Sequence, residues 1–311
     1  MNDPAIEASD LAKTFPGGRV AVHGLDLTVP TGAVYGLIGR NGAGKTTTLR
    51  MLLGLLRPNR GTARILGQDL WHAPRAIRQR VAYVSQEQQL PSHQCAAQLC
   101  LHLTKLHDRW DHHLAGKILA RFGIPPEAPL WALSGGDQRK VAVALAFASR
   151  PDVLVLDEPA AGLDPIARRQ LIEEMVDFLA DSNGRTVLFS THIIADLERV
   201  ADQIGIMDRG RMVAGGSLES LQSDMRRVQI IFDGGSVPAG FTVPGMVRSR
   251  AEGPVLTALV RLNGEDPLAP LRQQPGFRIN EFPLGLEDLF IELLDRQPAD
   301  DPANPWWIAP A

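Results

Sequence analysis

Cysteine is nearly absent from this chain. Only Cys95 and Cys100 occur among its 311 residues, too few for a disulfide framework, which fits a reducing compartment. No apolar run approaches the roughly twenty residues that span a bilayer, and the opening Met1–Asp10 does not read as a signal peptide. A basic tract is also missing. Lys and Arg number 32 against 35 Asp and Glu, a formal net charge of −3, so no nucleic-acid surface is indicated. No Asn-Lys-x-Asp run is present to read guanine. The length exceeds what one compact core of this kind needs and predicts a large core plus a smaller appendage.

Against these absences stands the segment Gly39-Arg40-Asn41-Gly42-Ala43-Gly44-Lys45-Thr46, a complete G-x-x-x-x-G-K-[ST] loop. It follows the apolar run Val34–Ile38 and precedes a helix-like stretch, Thr46–Leu56, the strand, loop and helix order that the motif requires. Its glycines let backbone N–H groups approach phosphate oxygens, and the new helix turns its positive end toward the anion. Lys45 is expected to hold the β- and γ-phosphates, Thr46 to ligate Mg²⁺, and Thr47 to join the phosphate contacts. A second candidate phosphate-binding element is Leu133-Ser134-Gly135-Gly136. It precedes a helix-like run, Gln138–Ser149, which Ser134 can cap.

Val153–Leu156 reads as a strand buried on both faces, closed by Asp157 and Glu158. Ligands of open α/β sheets gather at the carboxyl ends of strands. Asp157 suits holding Mg²⁺ through water, and Glu158 suits orienting or deprotonating an attacking water. Paired acids often only cap a strand, but the loop at Lys45 favours the chemical reading. His192 follows the apolar strand Thr186–Phe189 and suits a hydrogen bond to a γ-phosphate.

From residue 5 to about 215 the chain resembles the nucleotide-binding subunit of an ATP-binding cassette (ABC) transporter. Walker A is Gly39–Thr46 and Walker B is Val153–Glu158. Gln86, in Val-Ala-Tyr-Val-Ser-Gln, matches the Q-loop; Leu133–Asp137 resembles the signature, Ala161–Asp164 the D-loop, and Ser190–His192 the switch histidine. Phe15 occupies the place of the aromatic that stacks on adenine. The resemblance implies an α/β P-loop cassette with a mixed sheet core, a helical subdomain at about 87–136, ATP and Mg²⁺ as ligands, and Gln86 sensing the metal and the water. Ser134, Gly135, Gly136 and Asp164 would face ATP held by a second cassette, identical or different. Two departures stand out: Asp137 replaces the usual glutamine, and the D-loop reads Ala-Gly-Leu-Asp instead of the commoner Ser-Ala-Leu-Asp. An acid in the first turn stabilises its helix yet repels a nearby anion.

The resemblance further implies a cytoplasmic subunit, peripheral on the inner face of the cell membrane, that drives a separately encoded permease. Arg109-Trp-Asp111 and Leu119–Ile124 resemble bacterial exporter ATPases with ABC-2 type permeases. The alternative is a soluble ABC ATPase acting on ribosomes or DNA. Relatives of that kind carry two cassettes, zinc-binding cysteines or long inserted coiled coils, and none is seen here. Five of the eight histidines, His93, His102, His107, His112 and His113, fall in the helical stretch. Their i, i+5 spacings do not share a helix face, so a solvated or partner-contacting surface is expected instead of a metal site.

The cassette is expected to end at residue 219. Residues 220–296 read as a small α+β appendage, with strands at Val228–Phe232, Val255–Leu262 and Phe277–Phe282 and a final amphipathic helix opening on Leu286-Glu-Asp-Leu-Phe290. That run is similar to the C-terminal extension of drug and antibiotic exporter ATPases. Residues 297–311, with Trp306 and Trp307, are rich in Pro, Asp and Ala and are expected to be a disordered tail.

Overall fold

The computed structural model describes residues 3–87, 90–180, 184–262 and 266–294; the tail expected from residue 297 lies outside them. Two compact units divide the chain after Met212. In order, the elements up to that region are β1 (Ile6–Thr14), β2 (Val20–Val29), β3 (Val34–Gly39), α1 (Lys45–Leu52), β4 (Arg60–Ile65), α2 (Arg75–Arg78), β5 (Val81–Val84), α3 (Ala96–Thr104) and α4 (His112–Arg121). There follow α5 (Gly135–Ala148), β6 (Val153–Asp157), α6 (Pro165–Ala180), β7 (Thr186–Thr191), α7 (Ile194–Val200), β8 (Gln203–Asp208) and β9 (Arg211–Ser217). The division between units falls inside β9, whereas the sequence places it after residue 219.

The mixed core resolves into two sheets. One is antiparallel, ordered β2-β1-β4; the other has six strands ordered β5-β6-β7-β3-β8-β9. From β5 through β8 the strands of the larger sheet pair in parallel. The reason is compositional: β3, β6 and β7 are buried at every residue, the pattern of central parallel strands covered on both faces. Leu49 and Leu52 of α1 fill the space between the sheets, packing with Ile6, Leu11, Leu25 and Ile65 on one side and Val153, Val155 and Leu188 on the other. Helix α7 is keyed into β3, since a Cβ on Gly36 would stand 1.9 Å from Leu197 Cδ2.

Parallel β5, β6, β7 and β3 are neighbours, so their carboxyl ends lie at one edge. The loops that follow carry Gln86, Glu158, His192 and Lys45. This adjacency is what assembles the site.

Two elements depart from the sequence expectation. The helix after the glycine loop ends at Leu52 instead of Leu56, because Gly54 takes φ 66° and a Cβ there would meet Trp71 N at 2.6 Å. The apolar pattern Leu25–Val29 predicts a strand over those residues, but β2 begins five residues earlier at Val20, where Val22 already faces the core.

The helical stretch contains α3 and α4, a single 3₁₀ turn at Leu130–Ala132 and then α5. Asp111 caps α4 by accepting from Leu114 N at 2.9 Å. Arg121 ties α4 to α6, donating to Glu173 Oε2 at 2.5 Å and Glu174 Oε1 at 2.6 Å. Glu174 is only 2% exposed. Arg121→Ala would leave that carboxylate buried without its cation, a change expected to cost about 2–3 kcal/mol. Urea unfolding should show a lowered midpoint, largely recovered in Arg121→Ala/Glu174→Leu; an unchanged midpoint in the single variant would remove the tie.

The second unit adds α8 (Leu218–Ser223), β10 (Met225–Phe232), β11 (Met246–Glu252), β12 (Val255–Arg261), β13 (Phe277–Pro283) and α9 (Leu286–Leu294). Its antiparallel sheet is ordered β11-β12-β10-β13. Val228, Ile230 and Phe232 alternate onto one face with Leu256, Ala258 and Val260, and Phe232 meets Phe241 edge to face at 4.9 Å. Arg227 holds α9 through Glu292 at 3.0 Å and Asp288 at 3.3 Å. Strand β11 is absent from the sequence reading because Met-Val-Arg-Ser-Arg-Ala-Glu buries none of its side chains fully; pairing with β12 makes it a strand.

Candidate active site

Two glycines that frame the loop after β3 have no space for a side chain. A Cβ on Gly39 would lie 2.5 Å from Met207 O, and one on Gly44, at φ 105°, would lie 2.6 Å from Ala21 O. Helix α1 starts immediately, at Lys45. Its first turn and Asn41–Gly44 line a cleft of about 500 Å³, whose wall also includes Lys45, Thr46, Thr47, Gln86 and Glu158.

Lys45 reaches back across its own loop. Its Nζ donates to Gly39 O at 2.7 Å and pairs with Glu158 Oε1 at 3.1 Å, with both side chains 6% exposed. Glu158 sits at the end of β6 in the left-handed region, φ 49°, a conformation that costs about 1 kcal/mol or more and persists where surroundings over-determine it. Two of those surroundings are visible. Ser190 of β7 accepts from Glu158 N at 2.9 Å, and His192 Nδ1 lies 2.8 Å from Glu158 Oε2.

The Ser190 hydroxyl donates in turn to Asp157 Oδ1 at 2.5 Å. Asp157 is fully buried, and its Oδ2 has no partner at hydrogen-bond distance among the described residues; neither has the Tyr83 hydroxyl of β5, although that hydroxyl is near enough to Asp157 and Arg50 to feel both. Burial, then the Asp157 charge, pushes the Tyr83 phenol up. A buried carboxylate oxygen left unpaired is costly unless something else satisfies it. A hydrated cation beside Thr46 fits that requirement.

The second phosphate-binding candidate lies elsewhere. Ser134, Gly135, Gly136 and Asp164 do not line this cleft. Ser134 caps α5, accepting from Asp137 N at 3.1 Å while its hydroxyl donates to Asp137 Oδ2 at 2.8 Å. Lys140 Nζ stands 3.0 Å from Asp137 Oδ1 and 3.9 Å from Asp164 Oδ2. Burial alone would push the Asp137 carboxyl up; the hydrogen bonds from Lys140 and Ser134 outweigh it and hold it below the usual carboxylate range. Asp164 caps α6, accepting from Ile166 N and Ala167 N at 2.9 Å.

Phe15 is not part of the cleft wall, where Arg19 and Val20 stand instead. The Phe15 ring lies under two cations, Arg19 at 5.4 Å and Lys13 at 5.8 Å. Among the described residues no group of three or more His, Cys, Asp or Glu could hold a metal. Of the clustered histidines, His112 pairs with Thr104 Oγ1 at 2.7 Å and packs edge-on to Trp110.

Comparison with known proteins adds to this geometry. Residues 22–161 match the family model described as ABC transporter. The Nod factor export ATP-binding protein I of Ralstonia nicotianae is 35% identical over 316 residues, covering 96% of this chain and 96% of the relative. The chain belongs to the ABC transporter family. This ABC protein is also 38% identical to the daunorubicin/doxorubicin resistance ATP-binding protein of Streptomyces peucetius, over 71% of the chain and 68% of that protein. Its fold matches a solved structure of the ATP-binding subunit of an ABC transporter with a TM-score of 0.63 and 30% identity, covering 70% of this chain and 92% of that one. It is thus an ABC ATPase, an ATP-binding subunit. No helix among its described residues is long and apolar enough to cross a membrane.

Several site residues of this ABC subunit escape sequence reasoning. Arg19, His23 and Arg209 line the cleft, but each lies in a segment without a motif of its own. Ser190 bridges Asp157 and Glu158, yet its role depends on β7 lying beside β6, which spacing does not reveal.

Proposed function

We propose that this ATPase hydrolyses Mg–ATP in the cleft beside α1 and couples the reaction to export through a separately encoded membrane permease of the ABC-2 type. The observation that carries the reading is the convergence of Lys45, Glu158 and His192 at the ends of β3, β6 and β7. Lys45 and the loop Gly39–Thr46, extended by Thr47, bind the phosphates. Thr46, Asp157 and Gln86 would hold the metal, Asp157 through water at its Oδ2, which has no partner among the described residues. Bound Mg²⁺ would supply charge neutralisation on the β- and γ-phosphate oxygens. Glu158 accepts the proton of the attacking water, and His192, its hydrogen-bond partner, orients the carboxylate and contacts the γ-phosphate. Phe15, whose ring carries Arg19, would stack on the adenine. Ser134, Gly135, Gly136 and Asp164 serve ATP bound by a second cassette.

Relatives named for Nod factor export and for daunorubicin/doxorubicin resistance support outward transport. The subunit would work in the cytoplasm, peripheral on the inner face of the membrane. The cassette is residues 1–219, with a helical subdomain at about 87–136, and residues 220–296 form the accessory part.

Where the permease docks is suggested by a groove of about 430 Å³. Leu55 and Trp71, 61% and 44% exposed, line it together with Tyr83 of β5, the strand that leads to Gln86. A tagged Glu158→Gln protein purified from gently solubilised membranes with ATP present should bring down a multi-span membrane protein in stoichiometric amount. Recovery with ribosomes or nucleic acid would overturn the transport reading. Leu55→Asp/Trp71→Asp is expected to lose that partner by more than about tenfold while still binding ATP. Retention of the partner would move the docking surface elsewhere.

A further inference from the structure

Arg139 lies on the second turn of α5, outside every motif above, and touches two of the loops that build the site. One end of its guanidinium, Nη2, donates to the backbone carbonyl of Gln86. The other end, Nη1, stands 3.8 Å from where a Cβ of Gly162 would be, in the loop after β6. That same loop rests on α5 three residues earlier, since a Cβ on Gly136 would lie 3.1 Å from Gly162 O. The Arg139 Nε is buried without a hydrogen-bond partner among the described residues. Burial draws this guanidinium below its ordinary range, opposed by the charges of Glu158 and Asp157. A half-buried cation with a buried, unbonded Nε is retained at a cost, and among the described residues its hydrogen bond goes to the residue expected to face the metal.

We propose that Arg139 is a positioning residue for Gln86: it clamps the Gln86 carbonyl to α5 and so fixes the direction from which the Gln86 side chain enters the cleft. A planar fork suits this task because one end bonds the Gln86 carbonyl while the other lies beside the Gly162 loop. A lysine ammonium could reach the carbonyl and not also span to Gly162. Through this clamp a shift of α5, the helix that begins at Ser134, is transmitted to the metal side of the cleft. The inference rests on the reading of Gln86 as a metal-facing residue.

The test is equilibrium binding of a fluorescent ATP analogue to the full chain, with and without Mg²⁺, in the Glu158→Gln background so that hydrolysis does not intervene. Gln86→Ala is expected to raise the half-saturating Mg²⁺ concentration about tenfold and leave metal-free nucleotide affinity unchanged. Arg139→Ala should do the same, Arg139→Lys should fall between, and Arg139→Ala/Gln86→Ala should be no worse than either alone. Metal-free affinity also reports that each variant is folded. Arg139→Gln replaces the alanine variant if the latter loses metal-free binding, and loss in both would make Arg139 a structural residue and overturn the proposal. Additive effects in the double variant would also overturn it, because the clamp would then act on something other than Gln86. If Gln86→Ala itself leaves the Mg²⁺ dependence untouched, the metal role of Gln86 falls. If Gln86→Ala shifts it and Arg139→Ala does not, only the clamp falls.

Discussion

Glu158→Gln should slow ATP turnover about a thousandfold while leaving nucleotide binding intact, and should lower the stability of the nucleotide-free protein. The first effect follows from losing the group that takes the proton of the attacking water, a contribution of about 10²–10⁴ in rate. The second comes from the Lys45–Glu158 contact, in which both side chains are 6% exposed and 3.1 Å apart. Neutralising one member of a buried pair leaves the other uncompensated, at a cost of about 3 kcal/mol. Phosphates can return a negative charge to Lys45, so ATP should raise the melting temperature of Glu158→Gln more than that of the parent. Parallel thermal melts with and without ATP, set beside steady-state turnover, check both parts. Near-normal turnover would rule out Glu158 as the base, and an equal ATP shift in both proteins would rule out competition for Lys45.

Lys45→Ala is expected to abolish turnover and weaken ATP binding by at least about a hundredfold, since its ammonium supplies charge-assisted contacts to the phosphates that no neighbour replaces. In the nucleotide-free protein this change strips Glu158 of its cation and leaves the hydrogen bond with His192. Lys45→Ala should therefore be destabilised as well. Adding Glu158→Gln to it should restore stability without restoring binding, because the buried charge is gone while the phosphate contact remains missing. Isothermal titration gives the affinity and urea unfolding the stability. ATP binding within a few fold of the parent would exclude Lys45 from the phosphate site.

How much of this was legible in the chain depends on how local each constraint is. The loop Gly39–Thr46 is readable because its chemistry forces residue types at fixed spacing, and β3, β6 and β7 are readable because burial on both faces demands unbroken apolar runs. The end of α1 was not, since the contact that requires Gly54 comes from Trp71. Strand β11 was not, because its order derives from its neighbour. The bridging hydroxyl of Ser190 and the reach of Arg139 to Gln86 span 33 and 53 residues of chain, so they exist only once the sheet order is known. Phe15 is a mixed case: its ring lies off the cleft wall but carries Arg19, which does line it, and the motif position alone does not reveal that pairing.

Gly36 carries a consequence for how the site can change state. The missing side chain leaves a socket that Leu197 fills, so α7 is locked to β3 and cannot slide along it. His192 stands just before α7, linked through Ile193, an extended residue at φ −105° and ψ 106°. If the imidazole leaves Glu158, the rearrangement must fall on the torsions of that short link. The histidine then behaves as a latch hinged on a post, and a bulkier residue at position 36 would displace Leu197 and so disturb the post and not the latch.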